Sequence, residues 1–220
     1  MFEAVIFDWD GTLADTREVI LASFHEALRE VAKLDVSDEF VERRIGVGAA
    51  NTFREILMAK GVTFDDELVK RLVLVKVRVE VDRTGDVQLF PGARELLDSL
   101  HGKVKMALAS MNNRAVIDHM LKGLQVQDFF SIVLTGDEVA HSKPDPEIFL
   151  KSAHKLGSKP EKSVVLEDSI FGVKAAKAGK MACIAVAQGA YSSKELAKAK
   201  PNLLLNSLQE KDAILKFILK

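Results

Sequence analysis

The sequence predicts a doubly wound α/β fold: a parallel sheet with helices on both faces, interrupted after its first strand by a helical insert. Three observations carry this reading. Short, almost wholly apolar runs recur at AVIF (4–7), VKMALA (104–109), SIVLT (131–135), VVLE (164–167) and MACIAV (181–186), as strands buried on both faces of a parallel sheet require. Amphipathic helical stretches separate these runs, and such alternation builds parallel sheets. Between the first run and the second, nearly a hundred residues follow a mostly helical pattern instead.

The elements follow in chain order. After AVIF, most of residues 16–80 read as helix: VILASFHEALREVAKL, FVERRIG, NTFREILMAKG and DDELVKRLV. Within this stretch LVLVKVRVEV (72–81) alternates valines with charged residues, which is a strand pattern. Its place at the end of a helical insert favours helix, and we read it so. Pro91-Gly92 then opens the helix ARELLDSL, and Asp145-Pro146 opens PEIFLKSAHKL with a capping side chain before a proline. Gly179 closes a helix that starts near Ser169. Ser207 and Glu210 have the spacing of a capping box for the last helix, with Leu208, Ile214, Leu215 and Ile218 facing the core. The resulting division is a core domain at 1–14 and 85–220 with an inserted helical domain at 15–84. Ala14-Asp15 and Thr84-Gly85-Asp86 serve as the hinges.

Composition narrows the partners. The 220 residues carry 31 basic and 32 acidic side chains, a net charge of −1, which gives no field to hold nucleic acid. No apolar run approaches the ~20 residues of a membrane span, and Glu3 and Asp8 interrupt the N-terminal apolar stretch, so a cytoplasmic protein without a secretory signal is expected. The single cysteine, Cys183, excludes an intramolecular disulfide or a thiolate zinc cluster and reads as a buried hydrophobe. The five histidines are scattered, none in an HExxH pair. Charged, mixed helix surfaces make a monomer the expectation.

Polar residues gather at the carboxyl ends of the strands. The first strand runs into FDWDGTLADT, where Asp8 and Asp10 stand two apart and point to one side. Two like charges there repel unless a cation sits between them. Ser110 follows VKMALA, Glu167 and Asp168 follow VVL, and Lys143 lies in the loop before the helix opened by Asp145-Pro146. In open α/β sheets ligands bind beyond these strand ends. Singly, each residue has a plain structural reading as a turn, a helix cap or a solvated lysine. Together they converge on one place, and acidic pairs rarely end apolar strands without a cation.

FDWDGT, Ser110, Lys143 within KPDPEIF, and LEDS followed by GVKAAKAG resemble the four motifs of the haloacid dehalogenase superfamily of phosphohydrolases. The resemblance spans the whole chain, and the insert resembles the C1-type helical cap of phosphoglycolate phosphatases and β-phosphoglucomutases. It implies a Rossmann-like core and a small phosphorylated metabolite as substrate. It also implies roles: Asp8 as nucleophile, Asp10 as general acid and base, and Mg²⁺ on the Asp8 carboxylate, the Asp10 carbonyl and Asp168. Glu167 either joins the metal through a water or orients Asp168. Ser110 and Lys143 would hold the phosphate, with Met111 and Asn112 beside them. Gly46, Gly48 and Asn51 in the loop IGVGAANTF would line the substrate.

The same resemblance narrows the reaction. Dehalogenases lack an acid at the position of Asp10, and phosphonatases carry a small apolar residue there, so a phosphate ester or anhydride remains. β-Phosphoglucomutases carry a cap histidine where this chain has Ile20 and a cap-loop arginine where it has IGVGAANTF. The expected activity is therefore a phosphatase, with phosphoglycolate-like esters among its substrates. A phosphosugar mutase is the alternative, and a non-catalytic phosphoryl switch the third reading. The cap cations Arg43, Arg44, Lys60 and Lys76 read as solvated surface residues.

Overall fold

A computed structural model describes all residues, 1–220. The strands in chain order are β1 (Ala4–Phe7), β2 (Ala14–Asp15), β3 (Gln88–Leu89), β4 (Lys105–Ser110), β5 (Ile132–Thr135), β6 (Ser163–Glu167), β7 (Ala182–Val186) and β8 (Leu203–Leu205). The helices are α1 (Arg17–Ala27), α2 (Asp38–Glu42), α3 (Ala49–Ala59), α4 (Asp66–Asp82), α5 (Ala93–Leu100), α6 (Arg114–Gly123), α7 (Glu147–Lys155), α8 (Ile170–Ala178), α9 (Ser193–Lys198) and α10 (Lys211–Leu219). Six strands form one sheet in the order β5-β4-β1-β6-β7-β8. Every pairing in it is parallel, with Phe7 opposite Leu108 on one side and Leu166 on the other. This is the doubly wound Rossmann-like architecture expected.

The alternation of side chains along each strand explains the two layers. Val5 and Phe7 face one side, where they pack with Leu96 and Leu97 of α5, Ile117 of α6 and Ile214 of α10. Ala4 and Ile6 face the other, against Phe149 of α7, Val173 of α8 and Leu196 of α9. Cys183 is fully buried in this second layer, and burial pushes its thiol pKa up. A third cluster has its own core in α1 to α4, with Phe24, Leu28, Phe53, Leu57 and Leu72 among its members. The paired β2 and β3, antiparallel, link this cluster to the sheet.

Residues 72–81 are helical. The inward positions of α4 are Val69, Leu72, Lys76 and Glu80, spaced three and four apart as a helix face requires. This is the helix expected from the position of the segment; two of those four residues are charged, which is why the apolar period is hidden and the valines show a strand pattern.

Three sequence expectations need correction. The sheet has a sixth strand, β8, beyond the five expected. The Ser207–Glu210 box is not closed as expected: Ser207 Oγ accepts from Gln209 N, while Glu210 accepts from Asn206 N. A short 3₁₀ turn over Leu208–Glu210 precedes α10 and displaces the box geometry. In α7 the first helical residue is Glu147, one later than expected, with Asp145 Oδ1 accepting from its N–H at 2.9 Å.

Candidate active site

The sheet order sets β4, β1 and β6 side by side, and the chain departs to opposite sides of β1. A crevice opens at that point, beyond the carboxyl ends of the strands. Asp8 and Asp10 follow β1, Ser110 ends β4, Glu167 ends β6 with Asp168 next, and Lys143 enters from the loop between β5 and α7. All of these side chains are buried.

Lys143 ties the carboxylates together. Its Nζ donates to Asp8 Oδ1 at 2.5 Å and to Glu167 Oε1 at 2.6 Å. Burial alone would lower the lysine's pKa, but Asp8 and Glu167 outweigh it and hold the group above its usual range, so the ammonium stays charged. Glu167 has no free oxygen. Its Oε2 accepts from Asp168 N at 3.0 Å, Ser169 N at 2.9 Å and Ser169 Oγ at 2.9 Å. The carboxylate lies over Gly172, where a Cβ would stand 1.8 Å from Oε1.

Asp168 sits in a cradle between two glycines. A Cβ at Gly11 would come within 2.4 Å of its Oδ2, and one at Gly189 within 1.7 Å. Gly11 also has φ +84°, which an L side chain rarely adopts. Thr12 Oγ1 lies 3.1 Å from Asp168 Oδ1 and 3.2 Å from Asp8 Oδ2, so its one proton serves either carboxylate. Gln188 Nε2 donates to the carbonyl of Thr12 at 2.7 Å and steadies that turn.

The electrostatics mark a place for positive charge. Burial, with Glu167 and Asp10 adding to it and Lys143 opposing, pushes the Asp8 pKa up to about 8. Burial, then Glu167 and Asp8, raises Asp168 well above the usual carboxylate range. Oxygens of Asp8, Glu167 and Asp168 lie within 4.8 Å of one another. An all-oxygen set in which Asp8 and Asp168 both resist ionisation fits a hard divalent cation.

Asp10 is held differently. Ser110 Oγ donates to its Oδ2 at 2.9 Å and itself accepts from Asn112 N at 3.0 Å. The other oxygen, Oδ1, is buried with no hydrogen-bond partner. Asp10 borders a small cavity of about 30 Å³ whose wall includes Ile20, Gly46, Gly48, Lys76, Met111 and Asn112. A wider cleft of about 330 Å³ continues outward past Asn51 and Ser142. Asn51 Nδ2 donates to Ser142 Oγ at 3.0 Å across it. Gly46 and Gly48 have φ of +92° and +90°, and a Cβ on Gly48 would press Ser142 Oγ at 3.2 Å. All of the loop and strand-end residues singled out in the sequence thus border one cleft or the carboxylate cluster at its base.

Lys76 does not match the solvated surface residue expected of it. It is 4% exposed, and its Nζ donates to Glu80 Oε2 at 2.6 Å and to Asn112 Oδ1 at 3.2 Å. Glu80 has no exposed surface, and burial raises its pKa while Lys76 opposes that. Arg43 is half-buried, with Glu195 at 2.9 Å and the Tyr191 ring under its guanidinium. Arg44 pairs with Glu55 at 2.5 Å and stacks on Phe40. Lys60 is exposed, as expected.

The family model for haloacid dehalogenase-like hydrolases matches residues 5–186. The chain belongs to that family. A phosphorylated carbohydrates phosphatase of Thermotoga maritima is 33% identical, over 94% of this chain and 99% of its own length. Among solved structures, a hydrolase from Pseudomonas syringae superposes with TM-score 0.88 at 26% identity, covering 98% of each chain. A β-phosphoglucomutase from Clostridium difficile superposes with TM-score 0.82 at 25% identity, covering 100% of each. As a haloacid dehalogenase-like hydrolase of the phosphatase type, the protein is an enzyme, and the reading as a silent switch gives way. No helix is long and apolar enough to cross a membrane.

A stability prediction follows from the carboxylate cluster of this hydrolase. A carboxyl whose pKa rises on folding stabilises the fold below its ordinary value of ~3.9, and that contribution is lost as pH climbs toward the folded value. For Asp8 that window closes at about 8. In chelator, therefore, Asp168→Asn is expected to unfold at a higher temperature than the wild type. The gain should widen between pH 5 and pH 8 to about 2–4 °C, the shift that roughly 1 kcal/mol produces in a chain of this size. Calorimetry of both proteins across that range checks it; equal melting temperatures at pH 8 would remove the cost of burying this carboxylate from the account.

Proposed function

We propose that the protein is a Mg²⁺-dependent phosphatase that hydrolyses small phosphate monoesters through an aspartyl phosphate on Asp8. The observation that carries the reading is Asp10, a carboxyl on the cleft wall whose buried Oδ1 has no hydrogen-bond partner. A buried polar atom left without a partner costs stability, and a catalytic role is a reason for keeping one.

A carboxylate oxygen of Asp8 attacks phosphorus, and the bond from phosphorus to the leaving oxygen breaks. Protonated Asp10 gives its proton to that oxygen, so a neutral alcohol departs. Asp10, now ionised, takes a proton from a water whose oxygen attacks the acyl phosphate. The Asp8–phosphorus bond breaks, and inorganic phosphate leaves with Asp8 restored as carboxylate. Lys143 offsets charge on Asp8 and on the phosphate oxygens, and the Ser110 hydroxyl, turned from Asp10 Oδ2 toward substrate, donates to one of them. Glu167, with both oxygens occupied, orients Lys143 and the Asp168 backbone instead of ligating. Mg²⁺, held by the Asp8 carboxylate, the Asp10 carbonyl and Asp168, would supply charge neutralisation at the phosphate. Chelator is expected to abolish turnover and Mg²⁺ to restore it. Ca²⁺, with its larger and looser shell, should inhibit.

Residues 15–84 are proposed as the cap, hinged at the β2–β3 pair, closing the cleft over substrate. The mutase reading keeps support from the superposition on a β-phosphoglucomutase. Against it stands Ile20, an apolar side chain on the wall beside Asp10, where a mutase needs a group to manage a second phosphate. Phosphate release from a panel of small monophosphates, run beside a coupled assay for glucose 6-phosphate from β-glucose 1-phosphate, separates the two. The phosphatase should release phosphate and form no glucose 6-phosphate even when primed with the bisphosphate. Sustained, bisphosphate-dependent NADPH formation in the coupled assay would overturn this assignment. Phosphoglycolate-like esters remain among the candidate substrates, and the charge on the cleft walls decides between them and neutral esters.

A further inference from the structure

Three cations line the cleft beside Asp10, and each already has a carboxylate partner. Arg44 pairs with Glu55 at 2.5 Å, Arg54 with Asp66 at 2.9 Å, and Lys76 with Glu80 at 2.6 Å. The first two pairs are partly exposed, so water screens them and they hold little. Lys76–Glu80 is the exception, with side chains 5% and 0% exposed. Both charges come from one helix, four residues apart; Lys76 lines the cavity that Asp10 borders, and Glu80 stands behind it, fully buried.

A buried ion pair costs desolvation and rarely stabilises a fold over an apolar pair of the same size. An inward Lys–Glu pair on a helix that otherwise packs through Val69 and Leu72 therefore calls for a purpose beyond stability. Had the cavity needed a cation to grip a substrate anion, a lone lysine would serve. Glu80 removes that net charge while leaving the Lys76 ammonium able to donate. Its carboxylate is held by Lys76, with Ser23 Oγ 3.5 Å from its other oxygen. The Lys76 ammonium still reaches Asn112, whose backbone N–H donates to the Ser110 hydroxyl, and Ser110 bonds Asp10.

We propose that Glu80 is a specificity-determining residue. By cancelling the charge of Lys76 inside the cleft, it selects phosphate esters whose leaving group is uncharged and hydroxylated, and it rejects those bearing a second anion such as a carboxylate or another phosphate. The inference rests on the phosphatase reading above. A carboxylate brought to Lys76 must displace Glu80 or stand beside it, and like charges in a buried site repel strongly. A hydroxyl meets no such cost, because it carries no charge and can accept from Lys76.

Two substrates with one skeleton test this, 2-hydroxyethyl phosphate and phosphoglycolate, which differ by hydroxymethyl against carboxylate. The readout is the ratio of their kcat/KM values, which the fraction of folded enzyme does not move. The wild type is expected to favour 2-hydroxyethyl phosphate. Glu80→Gln should shift the ratio toward phosphoglycolate by about 10- to 100-fold, the factor that one charge-assisted hydrogen bond carries. The double variant Lys76→Gln/Glu80→Gln, neutral again, should move it back. A wild type that prefers phosphoglycolate overturns the proposal without any variant, and so does a ratio that Glu80→Gln leaves unchanged. Hydrolysis of p-nitrophenyl phosphate by the wild type with Mg²⁺ reports separately on the phosphatase reading, and its absence would overturn both.

Discussion

Asp8→Asn is expected to abolish turnover, lowering phosphate release by at least about 10⁴-fold, the scale on which loss of a catalytic nucleophile is felt. The amide keeps the shape of the carboxylate but cannot attack phosphorus, and no neighbour can take its place. Glu167 has both oxygens engaged, and Asp168 is wedged against Gly11 and Gly189. The fold should survive and even gain. Burial pushes the Asp8 pKa up to about 8, so in chelator at neutral pH an amide avoids the cost of burying an ionisable carboxyl there. Lys143 keeps Glu167 as a partner at 2.6 Å, which limits the cost of the lost bond. Phosphate release and circular dichroism on the same preparation check both halves. Retained turnover with an unchanged spectrum would exclude a covalent route through Asp8.

How much of this was legible in the chain differs from element to element, for physical reasons. The central strands were readable because parallel strands buried on both faces must be continuous apolar runs. Leu203–Leu205 was not, being three residues long at the sheet edge, where burial is partial and the run ends in asparagines on both sides. The strands β2 and β3 are two residues each, below any pattern. The carboxylates, Ser110 and Lys143 were legible because strand ends in an open sheet have one common destination. Lys76 and Glu80 were not, because charge is ordinarily a sign of a solvated face. Only the tertiary packing of α4 against α1 turns those positions inward. Gln188 and Gly189 escaped for a related reason: their part is to touch Thr12 and Asp168 from a distant loop, and nothing local in AQGAY announces it.

Asp10→Asn is expected to show a loss that depends on what leaves. Asp10 must deliver a proton to the departing oxygen in the first step and remove one from water in the second. An asparagine can do neither, although it can still accept from Ser110 as Asp10 does at 2.9 Å. General acid–base groups of this kind contribute about 10²–10⁴-fold. For alkyl esters such as sugar or glycerol phosphates, whose alkoxides leave poorly without a proton, both steps should suffer and turnover should fall by the upper end of that range. For p-nitrophenyl phosphate the first step needs no proton, so Asp8 should still be phosphorylated. Only hydrolysis of the acyl phosphate should then slow, and the phosphorylated enzyme should accumulate. A burst of p-nitrophenolate matching one equivalent of enzyme, followed by slow steady release, is therefore expected from Asp10→Asn. Mass spectrometry of the quenched protein should show one added phosphate, on the peptide that carries Asp8. Equal losses on alkyl and aryl esters, with no burst, would mean that the unpaired Oδ1 of Asp10 passes no proton in this cleft.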